Sequence, residues 1–237
     1  MSPNLTTSSS VHDLIRAYPS AAGLLKECGI HAECCGCLSL EEAAHHAGVD
    51  PECLLETALC WATPLPNPPA RNWSAAPLPQ LIDHIVSVHH EYLRRQLPRI
   101  RLLLDKAIKE HGDRLPQLHT LRDRFRECCT QLRDHLVAEE DILFPAIRSM
   151  EHPELGFVGE VDFGSAAIMH DNRAIVGVLA EIASEARALA AGLSRSTLVT
   201  LSWELDLLLQ ETREHEALED DNLFPRALAL QRSHALE

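Results

Sequence analysis

The chain of 237 residues has a net charge of -14 and is 46% hydrophobic but only 4% aromatic, a composition that favours packed helices over sheets. So acidic a chain argues against nucleic-acid and anionic-membrane binding, because both need basic patches. No apolar run reaches the roughly 18 residues of a membrane span, and the polar N-terminus lacks a signal-peptide pattern. We therefore expect a cytoplasmic protein whose eight cysteines are thiols, metal ligands or redox groups.

A small helical N-terminal domain is predicted for residues 1–62. Apolar residues recur at helical spacing in its first third, and a turn-like segment with four cysteines follows at 28–37. Ser39 with Glu42 forms a capping-box pattern that predicts a helix from the next residue. Pro51 in the first turn after an aspartate predicts another helix start.

The remainder of the chain predicts long helices after a proline-rich linker at 63–79. The predicted helices span residues 78–111, 115–150, 163–191 and 195–231, with Pro98 kinking the first and Gly192 ending the third. Short connections between such helices are typical of bundles. We therefore predict an all-α protein in which residues 80–237 form an up-down-up-down four-helix bundle.

An internal repeat with an offset of 80 residues (135 to 215) carries the candidate chemistry. A His-x-x-x-Glu pair recurs at this offset, and each copy is followed by Leu-Phe-Pro. The same offset relates two further histidines, one upstream of each pair. Helix positions four apart differ by only about 40° in direction, so each pair projects from one face. The six repeated residues are His90, His135, Glu139, His170, His215 and Glu219.

Four imidazoles and two carboxylates in one bundle core suit a dinuclear transition-metal site. A glutamate from each half can bridge two metal ions, and open coordination positions are left for small ligands. One His-x-x-x-Glu pair alone would be an ordinary surface pair, but two copies in register favour a metal site. The apolar stripe Val86, His90, Leu93, Leu97 and the repeat both select His90 over His89.

Other residues near the repeat are assigned structural roles. Phe144 and Phe224 are expected to pack at the end of the bundle, and Glu140 is expected to be solvated or to support a ligating histidine. Histidines without a repeat partner in a matching context are expected on the surface; these are His84, His111, His119, His152 and His234.

At these motifs the sequence resembles the repair of iron centres family, whose members have a hemerythrin-like C-terminal domain. The two His-x-x-x-Glu blocks, the segment Asn72–Leu78 and the pair Cys34-Cys35-Gly36 carry the resemblance. It covers residues 11–231, nearly the whole chain. One departure is that Cys37 stands where the family motif has a second glycine.

The resemblance implies a di-iron centre with carboxylate and oxo bridges, in a protein that repairs iron–sulfur clusters damaged by nitric oxide or oxidative stress by donating iron. It also implies iron–sulfur proteins as clients and a homodimer as one possible assembly. Two alternatives stay open: reduction of nitric oxide or peroxide at the site, and storage or sensing of nitric oxide, oxygen or iron. A repair role is favoured over a turnover enzyme, because no electron-entry residue stands out.

The cysteines divide into two groups. Cys34 and Cys35 are expected to have a thiol role, such as pairing with a partner protein or carrying a metal or persulfide. Cys37 adds a third thiol that could bind metal or alter redox behaviour. Structural roles are expected for the others, which are Cys28, Cys53, Cys60, Cys128 and Cys129.

Overall fold

The structure is a computed structural model that describes residues 5–18, 21–61, 72–151, 166–193 and 197–234. Inside some described helices the side chains of 33, 34, 60, 61 and 166–172 are outside this description. Within the described ranges every regular element is helical, and one isolated bridge joins Ser10 to Ser39. The predicted all-α class is confirmed.

The described residues of the N-terminal segment form five short helices. They are α1 (Val11–Ala17), α2 (Ala21–Glu27), α3 (Ala32–Cys35), α4 (Leu40–Ala47) and α5 (Pro51–Trp61). The predicted capping box is present, because Ser39 Oγ accepts from the Glu42 N–H and the Glu42 side chain accepts from the Ser39 N–H. Pro51 begins α5 as predicted, and α4 ends at Gly48 in the left-handed conformation, φ 75°.

The chain divides into two compact units, the first within residues 1–64, 94–126 and 182–206. Its core joins the short helices to Leu102, and Leu14, Leu40 and Leu54 are fully buried in it. Burying each such side chain contributes roughly 1.5–3 kcal/mol. The predicted division at 1–62, 63–79 and 80–237 stays a prediction, and 62–71 of the linker lie outside the described residues.

The long helices follow the predicted positions closely. They are α6 (Leu78–His84), α7 (Glu91–His111), α8 (Gln117–Ala138), α9 (Phe144–Glu151), α10 (Ala166–Ala190), α11 (Thr197–Leu218) and α12 (Phe224–His234). Pro98 lies inside α7, and Gly192 follows α10 with φ 77°, as expected of a helix stop. None of the helices in the described part of the chain is long and apolar enough to cross a membrane.

In the part of the chain that the structure describes, wider π-helical turns interrupt three of these helical runs, at π1 (Ile85–His90), π2 (Glu139–Leu143) and π3 (Glu219–Leu223). In π2 the Phe144 N–H donates to the Glu139 carbonyl, and the repeat places the same bond in π3. The next residue in each case is proline, which has no N–H to tighten the following turn. Such π turns are frequent at functional sites, and here each contains a candidate ligand.

The second unit lies within residues 65–93, 127–181 and 207–237, and its core lies beside the π turns. Phe144 and Phe224 are 2% and 4% exposed in a cluster with Leu81, Ile85 and Leu223. The predicted packing of both phenylalanines is therefore confirmed. This apolar cluster keeps water from one side of the repeat residues.

The capping box of α4 yields a first prediction. Ser39→Ala should destabilise the protein by about 1 kcal/mol, because the N-cap acceptor of α4 is lost. Urea unfolding followed by circular dichroism measures this change. Ser184→Ala, at an exposed site inside α10, is the matched control, and an equal stability of the two variants would contradict the prediction.

Candidate metal centre

Four of the repeat residues converge in the second unit. His90 ends π1, Glu139 and Glu219 begin π2 and π3, and His215 lies one turn before Glu219. Each residue offers a ligand atom, and these atoms lie within 4.8 Å of one another. The helical spacing accounts for each His-Glu pair, whereas the meeting of the two halves requires the tertiary fold.

The distances place nitrogen and oxygen donors around a small common space. His215 Nε2 is 3.1 Å from Glu219 Oε1, and His135 Nε2 is 2.9 Å from Glu139 Oε1. His90 Nε2 lies 3.0 Å from His215 Nε2 and 3.5 Å from Glu139 Oε2. Imidazole and carboxylate donors thus lie side by side, a combination that suits a transition-metal ion.

Burial makes this cluster electrostatically costly without a cation. Glu139 and Glu219 are 1% and 0% exposed. Burial raises the pKa of Glu139 well above its usual range, and the charge of Glu219 raises it further. Burial disfavours the His215 cation, but Glu219 and Glu139 outweigh that effect, so the pKa of His215 is raised. The Glu139 carboxylate therefore needs a positive neighbour to remain ionised.

The Glu139 carboxylate provides a test of whether a metal ion fits. Both oxygens are buried, and neither accepts a hydrogen bond of good geometry from the described residues. Each nevertheless lies near an imidazole nitrogen, of His135 or His90. Buried oxygens with no donor are expensive, and a bound cation would satisfy both. The donor set fits the metal that the sequence predicts.

The predicted ligands differ in how they are placed. His135 lies beside Glu139 but is not one of the four residues whose ligand atoms lie within 4.8 Å of one another. His170 lies in α10, and its side chain falls outside the described residues. His90 rather than His89 joins the four. His89 is 6% exposed, and its Nδ1 donates to Glu211 Oε1 at 2.7 Å.

Glu140 supports one candidate ligand from behind. Its Oε1 accepts a hydrogen bond from His90 Nδ1 at 2.5 Å, so His90 Nε2 is left to face the cluster. A carboxylate at this position orients the ring and makes the ligating nitrogen more basic. Phe144 lies against the same imidazole, with ring centroids 5.7 Å apart. From the sequence, Glu140 was expected to be either solvated or a support for a ligating histidine. The structure shows the second arrangement.

A cavity of about 470 Å³ borders the cluster on the side of His135 and Glu139. Ala138, Ala174 and Ile175 form its apolar wall, and Gln131 and Asp134 supply polar groups. This space is large enough for a small molecule beside the candidate ligands.

His84 corrects an expectation from the sequence. It was predicted to lie on the surface, but it is half-buried and stacked on Trp73, with ring centroids 4.3 Å apart. Burial lowers its pKa, with a further lowering from His89. The repeat could not signal this residue, because its partner position is not histidine.

The cysteines differ in their surroundings. Cys35 is half-buried and Cys37 exposed, while the Cys34 side chain lies outside the described residues. Gly36 between them lies directly under the His12 ring, so a side chain there would collide with the imidazole. Burial raises the pKa of Cys53 to about 12 and of Cys128 to about 11. The latter two thiols are protonated and packed, consistent with the structural role predicted for them.

Known proteins share these features. Residues 81–227 match the family described as Hemerythrin HHE cation binding domain. The chain belongs to this family. It is 28% identical over 222 residues to the "Iron-sulfur cluster repair protein YtfE" of Escherichia coli O17:K52:H18 (strain UMN026 / ExPEC), covering 92% of this chain and 95% of that protein. The same-named protein of Musicola paradisiaca (strain Ech703) is 29% identical over 224 residues, covering 92% and 96%.

These matches confirm the family resemblance predicted from the histidine and cysteine motifs. The hemerythrin match includes all six predicted ligands, and its cation-binding description agrees with the buried cluster. The relatives extend the likeness to 92% of the chain, well beyond residues 81–227.

The buried carboxylates generate a second prediction. Glu139→Gln and Glu219→Gln should each lose most of the bound metal, because a charged donor oxygen becomes a neutral amide. Metal analysis after anaerobic iron loading and dialysis measures the effect. Glu127→Gln, at an exposed position on α8, is the control. Full metal content in both cluster variants would show that these carboxylates do not bind the metal.

Glu140 generates a third prediction. Glu140→Gln should lower metal affinity by roughly 10–100-fold, because the partner that orients His90 is weakened. Competition with a chelator measures the affinity. Asp141→Asn, its exposed neighbour, should retain the wild-type affinity. Equal affinities for the two variants would exclude Glu140 from orienting the ligand.

Proposed function

We propose that this chain is a di-iron protein that repairs iron–sulfur clusters damaged by nitric oxide or oxidative stress, by donating iron. The observation that carries the proposal is the buried cluster of His90, Glu139, His215 and Glu219, in a chain whose relatives are named for cluster repair. The complete ligand set proposed for two iron ions is His90, His135, Glu139, His170, His215 and Glu219.

The chain's own residues provide a reversible site for such ions. The imidazoles and carboxylates accept iron, and Glu140 keeps His90 turned toward the cluster. The phenylalanine core around π2 and π3 excludes water on one side. When bound, iron would supply the ion that a damaged cluster lacks. Protons would compete with iron for these side chains, since histidine and glutamate bind metal only when deprotonated.

The cysteine turn suits the second half of a repair function. Cys34 and Cys35 are proposed to pair with a client or to carry iron during transfer. One feature supports this role: Cys37, in the same turn, is exposed. Iron–sulfur proteins are the proposed clients.

A second candidate function is favoured by the cavity beside His135. Its volume of about 470 Å³ and its partly apolar wall suit nitric oxide or oxygen at open metal positions. In that case the chain would bind or reduce the small molecule. Turnover of nitric oxide with an electron donor would distinguish this function from stoichiometric iron donation.

Iron transfer to a damaged enzyme tests the repair function. The iron-loaded protein should restore the activity of an iron–sulfur dehydratase whose cluster has been damaged by nitric oxide, and one equivalent of iron should leave the protein for each ion regained. The Cys34→Ser, Cys35→Ser double variant should bind iron normally but restore activity more slowly, because the transfer thiols are lost.

Free ferrous iron at the same concentration is the control for that experiment. Cys128→Ser is the matched thiol control, because Cys128 is buried and its pKa is raised to about 11. Restoration no faster than with free iron would contradict the proposal. Normal transfer by the double variant would limit the function to the metal centre.

A further inference from the structure

Four ring side chains form an unbroken line of contacts in the second unit. Trp73 stacks on His84 with centroids 4.3 Å apart, and His84 meets His89 edge-on at 5.2 Å. His89 in turn lies nearly parallel to His215 at 6.1 Å. These separations lie close to the range of aromatic pairs in direct contact. The line begins at the half-buried Trp73 and ends at a candidate ligand that is 1% exposed.

Hydrogen bonds hold the line in place at Trp73 and at His89. Arg226 donates to the Trp73 and Ala76 carbonyls at 3.0 and 2.5 Å, which fixes the turn that carries the indole. Next to the inner end, Glu211 accepts from His89 Nδ1 at 2.7 Å. His84 Nδ1, in contrast, is buried with no hydrogen bond among the described residues. The His84 ring is therefore placed by its ring neighbours rather than by polar partners.

We propose that this line of rings is the route by which electrons enter the metal centre. The inference rests on the proposed iron site, because iron donation requires the ferrous state: ferric ions are held more tightly by carboxylates. Electron tunnelling weakens steeply across empty space and less steeply through packed atoms. A buried centre therefore benefits from a continuous packed path to the surface, which Trp73, His84 and His89 provide.

The electron count is simple. Each molecule of a one-electron donor, such as a reduced viologen or a reduced flavoprotein, loses one electron, and one ferric ion becomes ferrous. Two donors reduce two ions. The rings are crossed by tunnelling, so no bond in them forms or breaks, and none is left oxidised, reduced or protonated differently.

The cavity beside His135 is a competing entrance, and its composition differs. The described residues that line it are aliphatic, amide or acidic apart from His135 itself. A donor would have to enter that cavity to approach the site, whereas the Trp73 route needs contact only at the surface. The two routes thus predict different effects of substitutions at Trp73 and His84.

Stopped-flow reduction of the iron-loaded, oxidised protein by reduced methyl viologen distinguishes the two routes. Trp73→Leu and His84→Leu should each slow the reduction severalfold, because an aliphatic side chain breaks the ring contact. Trp73→Phe and His84→Phe should react at close to the wild-type rate, because each preserves a ring. Iron content and helical circular dichroism are measured for every variant, and the two positions test the path independently.

Matched controls exist elsewhere in the chain. Trp203→Leu removes a tryptophan that is 59% exposed, and His119→Leu removes an exposed histidine; both should reduce at the wild-type rate. Leucine variants with full iron and unchanged reduction rates would overturn the proposed electron path but not the proposed function. Phenylalanine variants as slow as the leucine variants would do the same. A wild-type protein that takes up no iron would instead overturn the proposed function.

A second readout needs no metal. In the iron-free protein, His84→Leu should shift the indole N–H resonance of Trp73, because the ring current of the stacked imidazole is removed. The resonance is assigned by its loss in Trp73→Phe. The Trp203 resonance should not move. An unchanged Trp73 resonance would show that the first contact of the path does not exist in solution, and would overturn the inference.

Discussion

The two buried carboxylates, Glu139 and Glu219, impose the main constraint on this fold. Each is almost inaccessible to water, and the charge of Glu219 adds to the effect of burial in raising the pKa of Glu139. Buried charges persist only when paired or bound to metal. The surroundings suit a cation held by the two carboxylates. They consist of the His90 and His215 imidazoles, the hydrogen bond from His90 to Glu140 and the apolar core.

The local sequence of the helices that carry the two carboxylates shapes the turns in which the carboxylates lie. A regular α-helix would continue with unbroken hydrogen bonds through the Leu-Phe-Pro segments. Pro145 and Pro225 remove a donor just after π2 and π3, and the turns that begin with the two glutamates are wider. The repeated proline is therefore part of the architecture of the site and not only a helix boundary.

The ring line and the metal cluster meet at His215, which is both a candidate metal ligand and the last ring of the proposed electron path. On one side the imidazole lies beside Glu219 and His90. On the other it faces His89, which Glu211 holds by a hydrogen bond. A residue placed in this way couples whatever occupies the cluster to a path that ends at the half-buried Trp73. The family match concerns the cation site, whereas this path follows from the packing of this chain.

The sequence by itself determined the helical class, the extents of the long helices, the capping box at Ser39 and the repeated residues. These follow from local propensity, hydrophobic period and a fixed offset of 80 residues, which need no knowledge of distant neighbours. Only the tertiary structure decided which atoms converge, that Glu140 supports His90, and that His84 is stacked and half-buried. The physical reason is that such contacts either join residues far apart in the sequence, 50 positions in the pair His90–Glu140, or depend on how separate segments pack, as Trp73 does on His84. No local pattern records either.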